Sequence, residues 1–297
     1  MVFVYTSLQI IIYFGGIVAV LYYYGIIQAA LSRVAFVMHH TIGTTCAESL
    51  NAAACIFLGQ TEAALLIEPA LATMTESEIH SVMTAGFACI AGSLFAAYIS
   101  FGACPAYLLS ATVMSAAASL ASKEFKFAEI ESNSVLECLT NGLATLARLT
   151  FNKIHLILLD PQVEFDETMK VAELMGIKTV LNEFIAYKKL SEMITEKTLN
   201  GARAKMIATY ALCGFSNISM IGGQIAILSA MCPQKKSIFA KQAVRALISG
   251  IITCFITTCV AGMIIASPLE CPPVVGQDHC LSLAAVRHIF NTTNVQL

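Results

Sequence analysis

Apolar residues form long stretches along this chain, and polar residues break them at only a few places. A membrane-spanning helix needs about 20 consecutive apolar residues. The stretches that approach or exceed this length are residues 3–24, 206–231 and 239–265. Two more helices, rich in the small residues that allow close helix packing in lipid, are predicted at residues 76–100 and 105–123. The pattern therefore predicts several membrane-crossing helices.

The polar stretch Gly59-Gln60-Thr61-Glu62 interrupts an apolar run that covers residues 52–67. The apolar segment on each side is about ten residues long, which is too short to cross a bilayer. Two short helices that meet at a polar break are typical of a re-entrant hairpin, which is tolerated at membrane depth only where protein or water covers its backbone. We therefore predict such a hairpin over residues 44–74. The alternative is a surface turn in a soluble protein.

A second polar break, Asn182-Glu183-Phe184, lies between short apolar pieces in the charge-rich segment 164–205. Taken alone, it is equally compatible with an amphipathic helix on the protein surface. Each break is followed by a helix with a Gly-Phe pair, Gly86-Phe87 in the first case and Gly214-Phe215 in the second, and then by one more helix. Broken helices at matching positions in two halves of a chain indicate the central site of a transporter.

Composition supports a membrane location over the soluble alternative. The chain is 57% apolar and only 12% charged, whereas soluble domains contain about 25% charged residues. Long apolar runs favour helical spans, so the predicted fold class is all-α. The net charge of −2 gives no indication of a nucleic-acid partner. The Cys and His residues show no metal-site spacing.

Five motifs, in order along residues 3–266, together resemble the concentrative nucleoside transporters. They are Gly59-Gln60-Thr61-Glu62, Met83-Thr84-Ala85-Gly86-Phe87 with Ile90-Ala91-Gly92-Ser93, Ala97-Tyr98-Ile99-Ser100-Phe101-Gly102, residues 176–187, and residues 207–215 with Asn217. The fourth matches the family's Gly-x-Lys-x-x-x-Asn-Glu-Phe-Val-Ala signature, with Ile185 in place of Val. The resemblance implies a polytopic membrane protein with two re-entrant helical hairpins and inverted-repeat broken helices, that is, a partial nucleoside transporter fold.

The resemblance also implies a substrate site shared by the two hairpins. The residues expected to face the nucleobase are Gln60, Thr61 and Glu62, with Leu94 packed nearby. Those expected to hold the ribose are Glu183 and Asn217, with Phe215 beside them. Carboxylates and amides can hydrogen-bond a base edge and a polyol. The expected process is translocation, so the chain is predicted not to be an enzyme. Gly59-Gln60 accompanies acceptance of both purine and pyrimidine nucleosides in the family.

The sodium site of the family is altered in this chain. The corresponding positions are Cys55, Leu58, Cys89 and Ile90. Leu58 and Ile90 would still offer backbone carbonyls, but both side-chain oxygens are replaced by thiols. Hard cations such as Na⁺ prefer oxygen ligands, and sulfur is a soft donor. We therefore expect sodium coupling to be weakened or absent. A proton carried by Glu62 or Glu183 is the alternative coupling ion.

The chain departs from the family elsewhere as well. The family's ribose-site Ser, three residues after the Asn, corresponds to Met220, and scaffold helices before the first hairpin and within 131–162 are expected to be missing. The predicted units are a scaffold and interfacial helix (1–40), the first hairpin with two spans (41–130), a degenerate scaffold segment (131–162), the second hairpin with two spans (163–266) and a polar tail (267–297). The alternative function is a non-transporting truncated relative or a fragment of a transporter.

The remaining expectations concern location and assembly. By resemblance, the protein is a homotrimer if its scaffold is complete, and a multi-pass protein of the plasma membrane. Basic residues that include Lys235, Lys236 and Lys241 precede the last span, whereas only Arg287 follows it. This asymmetry and the sequon at Asn291 predict an extracellular C-terminal tail.

Overall fold

The computed structural model describes residues 23–121 and 165–269, together with residues 13, 16, 17, 20, 21 and 163. Within this part of the chain every regular element is helical. The α-helices are α1 Ile26–Ile42, α2 Cys46–Phe57, α3 Gln60–Leu71, α4 Glu76–Ala88, α5 Phe95–Ser100, α6 Pro105–Ala121, α7 Phe165–Val180, α8 Glu183–Thr195, α9 Ala202–Leu212, α10 Ser219–Met231 and α11 Lys236–Ile264. The all-α prediction is confirmed. Most of the predicted first span, all of the segment 131–162, and the tail from residue 270 lie outside the described residues.

Helices α2 and α3 form the first hairpin. Thr45 and Glu48 cap the start of α2 reciprocally, with the Thr45 backbone N–H donating to the Glu48 carboxylate at 3.1 Å. Leu58 then takes an extended conformation, and α3 begins at Gln60. Each helix has 12 residues, which is about 18 Å of helix and too short to cross a bilayer. The two helices pack against each other as the sequence pattern predicts.

The helix predicted over residues 76–100 is broken, so that expectation was wrong. Helix α4 ends at Ala88, Cys89 is extended, and a 3₁₀ turn, Gly92–Leu94, leads into α5. The break lies where α4 meets another chain segment. A Cβ atom at Gly214 would lie only 2.6 Å from the Ala88 carbonyl oxygen. This close contact is made by residues distant in sequence, so a local pattern of small residues could not reveal it.

The second half repeats the same order of elements. Helices α7 and α8 form a hairpin, and the Asn182 side chain caps α8 by accepting a hydrogen bond from the Ile185 N–H at 2.9 Å. Helix α9 is separated from α10 by residues 213–218, where Gly214 has a φ of 122° that other residues rarely adopt. The Gly-Phe pairs are not equivalent in the two halves. Gly86-Phe87 lies within α4, whereas Gly214-Phe215 lies in the break between α9 and α10.

Helix α11 packs against both broken helices and against α6. Together with the preceding turn it forms the continuous helical stretch Pro233–Ile264, whose most apolar 18-residue window has a mean hydropathy of 2.1. Among the described residues, this is the one helix long and apolar enough to cross a membrane by length and composition. Shorter apolar helices are Cys46–Phe57, Pro105–Ala121 and Ser219–Met231. Cys46–Phe57 and Ser219–Met231 each adjoin a break in the chain, so neither provides a full span by itself.

Candidate functional site

The buried pair Glu183 and Asn217 lies where the second hairpin meets the break between α9 and α10. Both side chains are almost completely buried, and the Asn217 Nδ2 donates to the Glu183 Oε2 at 2.9 Å. The Asn217 Oδ1 accepts hydrogen bonds from the Ser219 hydroxyl at 2.6 Å and from the Met220 N–H at 3.0 Å. Asn217 therefore caps the start of α10 and orients the Glu183 carboxylate at the same time.

Aromatic rings pack close to this pair. The Tyr98 ring lies 5.2 Å from the ring of Phe184 and 4.6 Å from that of Tyr187. The Tyr187 hydroxyl donates to the Thr209 carbonyl at 2.9 Å, and Phe215 is buried. A carboxylate held in such an apolar environment is costly unless hydrogen bonds satisfy it. The arrangement favours a role in binding polar groups of a ligand.

Lys178 is a fully buried charge that the sequence analysis did not assign to a site. Its Nζ lies 3.0 Å from the Ala211 carbonyl oxygen and 3.5 Å from that of Cys213. Both carbonyls are at the C-terminal end of α9, where a cation is favourable because the helix dipole is negative there. The only signal in the sequence was a single Lys in the apolar half of a motif that precedes Glu183.

The residues of the first hairpin that are predicted to face the base are more open. Gln60 is half-buried, whereas Thr61 and Glu62 are exposed. The Glu62 carboxylate folds back over the start of α3, so that a Cβ at Gly59 would lie 2.5 Å from its Oε2 and 3.0 Å from the Ala91 Cβ. Gly59 therefore leaves space that the carboxylate occupies. Leu94 is also half-buried and packs against the main core.

Helix α10 contacts residues of both hairpins. Next to its N-terminus, Asn217 contacts Glu183, and further along the helix the Gln224 Nε2 donates to the Gln60 Oε1 at 2.8 Å. The two contacts are seven positions apart, which is about 10 Å along a helix. Gln224 was missed by the sequence analysis because a single Gln in an apolar helix has no motif around it. This helix joins the two halves of the predicted site.

The predicted sodium positions lie close together in space. Cys55, Leu58 and Cys89 are buried in one cluster, and Ile90, also buried, follows Cys89 in the chain. Both cysteines are free thiols. Their sulfur atoms do not fit a hard cation, which prefers oxygen ligands. No group of three or more His, Cys, Asp or Glu side chains arranged for a metal ion occurs within the described ranges.

Comparisons with known proteins identify the family. Residues 4–104 match the family profile described as "Nucleoside recognition", and residues 130–262 match "Na+ dependent nucleoside transporter C-terminus". The chain is 38% identical to solute carrier family 28 member 3 of Eptatretus stoutii, over 91% of this chain and 49% of that protein. It is 37% identical to sodium/nucleoside cotransporter 2 of Rattus norvegicus, over 89% of this chain and 50% of that protein. The chain belongs to the concentrative nucleoside transporter family.

Solved structures agree with this assignment. The chain superposes on CNTnw in an inward-facing substrate-bound state with a TM-score of 0.73 and 28% identity, covering 89% of this chain and 76% of that one. For a CNTnw variant in an intermediate state the TM-score is 0.75, with 27% identity and coverage of 91% and 78%. The nucleoside transporter fold is therefore confirmed, as is the prediction of a membrane transporter family rather than an enzyme family.

The match also shows how this chain differs from its relatives. It spans about half the length of the curated relatives that it matches. The alignment with the Eptatretus stoutii protein extends over 337 positions, more than the 297 residues of this chain. That relative therefore contains segments, inside the matched region, that this chain lacks.

Proposed function

We propose that this chain transports nucleosides across the plasma membrane by cation-coupled symport. The base binds at Gln60, Thr61 and Glu62 of the first hairpin, and the ribose binds at Glu183 and Asn217 of the second. Leu94 and Phe215 provide apolar contacts beside the base and the ribose. The relatives are named as sodium/nucleoside cotransporters and as solute carriers, which supports the substrate class.

The observation that carries this proposal is a pair of contacts at α10 and the break just before it. Asn217, two residues before α10, contacts Glu183, and Gln224 within α10 contacts Gln60. The ribose and base positions are therefore held seven positions apart in the chain, a separation of about 10 Å at helical rise. That separation suits a nucleoside, whose ribose and base lie side by side. Hydrogen bonds from a site of this kind reject analogues that lack the matching hydroxyl groups.

The test is uptake of labelled uridine by cells that express only this chain. We expect saturable uptake that Glu183→Ala reduces by at least about tenfold, because a carboxylate with its hydrogen bonds is lost. Deoxyribose analogues should compete less well than uridine. Surface labelling of both proteins controls for expression. Uptake at the level of empty cells would refute transport by this chain, and equal uptake by the two proteins would refute the role of Glu183.

The second candidate function is that of a non-transporting relative, which keeps the fold and associates with a full-length subunit. The observation in its favour is that the Eptatretus stoutii relative carries segments that this chain lacks. Co-expression with a complete family member distinguishes the two functions. A non-transporting relative should co-purify with the complete subunit and change its uptake, whereas a transporter should work when expressed alone as a homotrimer.

We propose that sodium coupling is weaker in this chain than in the relatives. Cys55 and Cys89 replace oxygen ligands with thiols, and burial makes a poorly coordinated ion expensive. We therefore expect weakened sodium coupling, with Glu62 or Glu183 as proton carriers in the alternative. Uridine uptake with external sodium replaced by choline, at neutral and acidic pH, measures both contributions.

The C-terminal tail is proposed to be extracellular. The argument is the excess of Lys and Arg at the N-terminal end of α11 and the sequon at Asn291. Protease added to intact cells should then remove an epitope fused to the tail. Protection of that epitope would show that the tail is on the cytoplasmic side.

A further inference from the structure

A buried amide on α10 is unusual for its surroundings. Gln224 is only 4% exposed, and it lies in a helix whose other residues are apolar or small. A buried amide must find hydrogen-bond partners or lose stability. Its Nε2 donates to the Gln60 Oε1 at 2.8 Å. One N–H donor of Gln224 is thus engaged by a residue of the first hairpin.

This hydrogen bond determines which groups of Gln60 remain for a ligand. A side-chain amide has an acceptor oxygen on one side and two N–H donors on the other. Since the Gln60 oxygen is held by Gln224, its nitrogen is turned away from Gln224. Gln60 is half-buried and therefore reachable by a ligand. The groups that it offers most readily are its two N–H donors, because Gln224 already engages one of the two lone pairs of its oxygen.

Helix α4 leaves space for this hydrogen bond between Gln224 and Gln60, which we call the bridge. A Cβ atom at Gly86 of α4 would overlap the Gln224 Nε2 and lie 3.1 Å from its Cδ. Gly within a helix is less favourable than Ala. The Gln224 amide occupies the space that the missing side chain leaves. The bridge is therefore built jointly by α3, α4 and α10.

We propose that Gln224 is a positioning residue that fixes Gln60 as a hydrogen-bond donor, and that the site therefore selects bases by an acceptor atom on their edge. The inference rests on the proposed function, because it assumes that Gln60 faces the base. All the common nucleobases carry acceptor oxygens or ring nitrogens. Selection by an acceptor alone therefore accounts for a range that includes both purines and pyrimidines.

The variant Gln224→Glu tests the direction of the hydrogen bond. An ionised carboxylate can only accept, so Gln60 must turn and donate its Nε2 to it, which leaves its oxygen for the base. The riboside of 2-pyrimidinone is a suitable probe, because its base has acceptors and no donor. Uridine is the reference, because its base has both. We expect the affinity ratio of the 2-pyrimidinone riboside to uridine to fall about tenfold in Gln224→Glu, which is one hydrogen bond of about 1.4 kcal/mol.

Two further variants separate positioning from general damage. Gln224→Met keeps the volume and frees Gln60, so we expect a smaller fall in the ratio, of about two- to threefold. Gly86→Ala should act in the same way by displacing the Gln224 amide. Gly222→Ala is the matched control on α10, because a Cβ there meets no atom within 4 Å. It should leave the ratio unchanged.

The measurements are probe dissociation constants for the purified full-length chain, from ligand-induced shifts of its melting temperature, and uptake of the same probes in cells. If the unaltered chain binds both probes without uptake, transport fails and the binding ratio still decides on Gln224. An unchanged ratio in Gln224→Glu, with uridine still bound, overturns the role of Gln224 alone. If the unaltered chain binds neither probe, both proposals are overturned.

Discussion

The two halves of this protein share an order of elements but satisfy their buried polar groups in different ways. In the second half, Lys178 places a positive charge at the end of α9, and Asn217 holds the buried Glu183. In the first half, the end of α4 lies beside the thiols of Cys55 and Cys89, and the Glu62 carboxylate of the hairpin is exposed.

In the second half the chain itself supplies partners for the buried charges of Lys178 and Glu183. A helix C-terminus favours a cation, and at the end of α9 Lys178 is that cation. Relatives of this chain are named sodium/nucleoside cotransporters, which supports our proposal that the first half takes its cation from solution. Under that proposal, thiols at Cys55 and Cys89 weaken the cation site without replacing the cation.

Loss of the internal cation should have the largest effect on stability. In Lys178→Met the Ala211 carbonyl loses the Lys178 donor, at a cost of about 1–3 kcal/mol for an unsatisfied group, whereas the Cys213 carbonyl still accepts from the Cys254 thiol at 3.1 Å. The favourable position of a cation at the end of α9, which contributes up to about 2 kcal/mol when partly buried, is lost as well. We expect a decrease of about 2–4 kcal/mol in the free energy of unfolding, measured on detergent-solubilised protein. The control is Lys188→Met, at an exposed position of α8. Equal stability of the two variants would contradict a built-in cation.

The two sets of polar residues should separate stability from activity. Asn217→Ala removes a donor to Glu183 and the cap of α10. We therefore expect the free energy of unfolding to fall by about 2–3 kcal/mol and uridine uptake to be lost as well. Glu62→Ala, at an exposed carboxylate, should reduce uridine uptake while the free energy of unfolding changes by less than about 0.5 kcal/mol. Melting curves and uptake of the same preparations make the comparison. A large destabilisation by Glu62→Ala would show that the first half is also self-contained.

Oxygen ligands should bring the first half closer to its sodium-coupled relatives. In the double variant Cys55→Asn with Cys89→Thr we expect the sodium concentration for half-maximal uptake to fall about tenfold, because both thiols become oxygen donors. Cys46→Ser, at an exposed position outside the cluster, is the control. A steep sodium dependence of the unaltered chain at neutral pH, unchanged in the double variant, would contradict weakened sodium coupling.

Crowding at the start of α3 should have the smallest effect. Adenosine, guanosine and uridine should all compete for uptake in the unaltered chain. Gly59→Ala places a Cβ against the Glu62 carboxylate and the Ala91 side chain, so the preference among the three should shift by about threefold. Competition assays with unlabelled nucleosides measure this shift. Competition by uridine alone in the unaltered chain would contradict a broad range.

Much of the fold followed from local patterns in the sequence. Apolar segments too short to span a bilayer, interrupted at Gly59–Glu62 and at Asn182–Phe184, determined the two hairpins. Capping signals such as Thr45 with Glu48 marked helix starts in the same way. These features are local, because a helix ends where a few neighbouring residues can no longer continue it.

Contacts between distant residues were decided only by the tertiary structure. The break after Ala88 depends on the approach of Gly214, the role of Lys178 depends on the end of α9, and the bridge from Gln224 to Gln60 joins residues 164 positions apart. A buried Lys or Gln looks the same in the sequence whatever its partner is. Its hydrogen bonds are determined by which helix ends and side chains the packing brings within about 3 Å, and that depends on the whole fold.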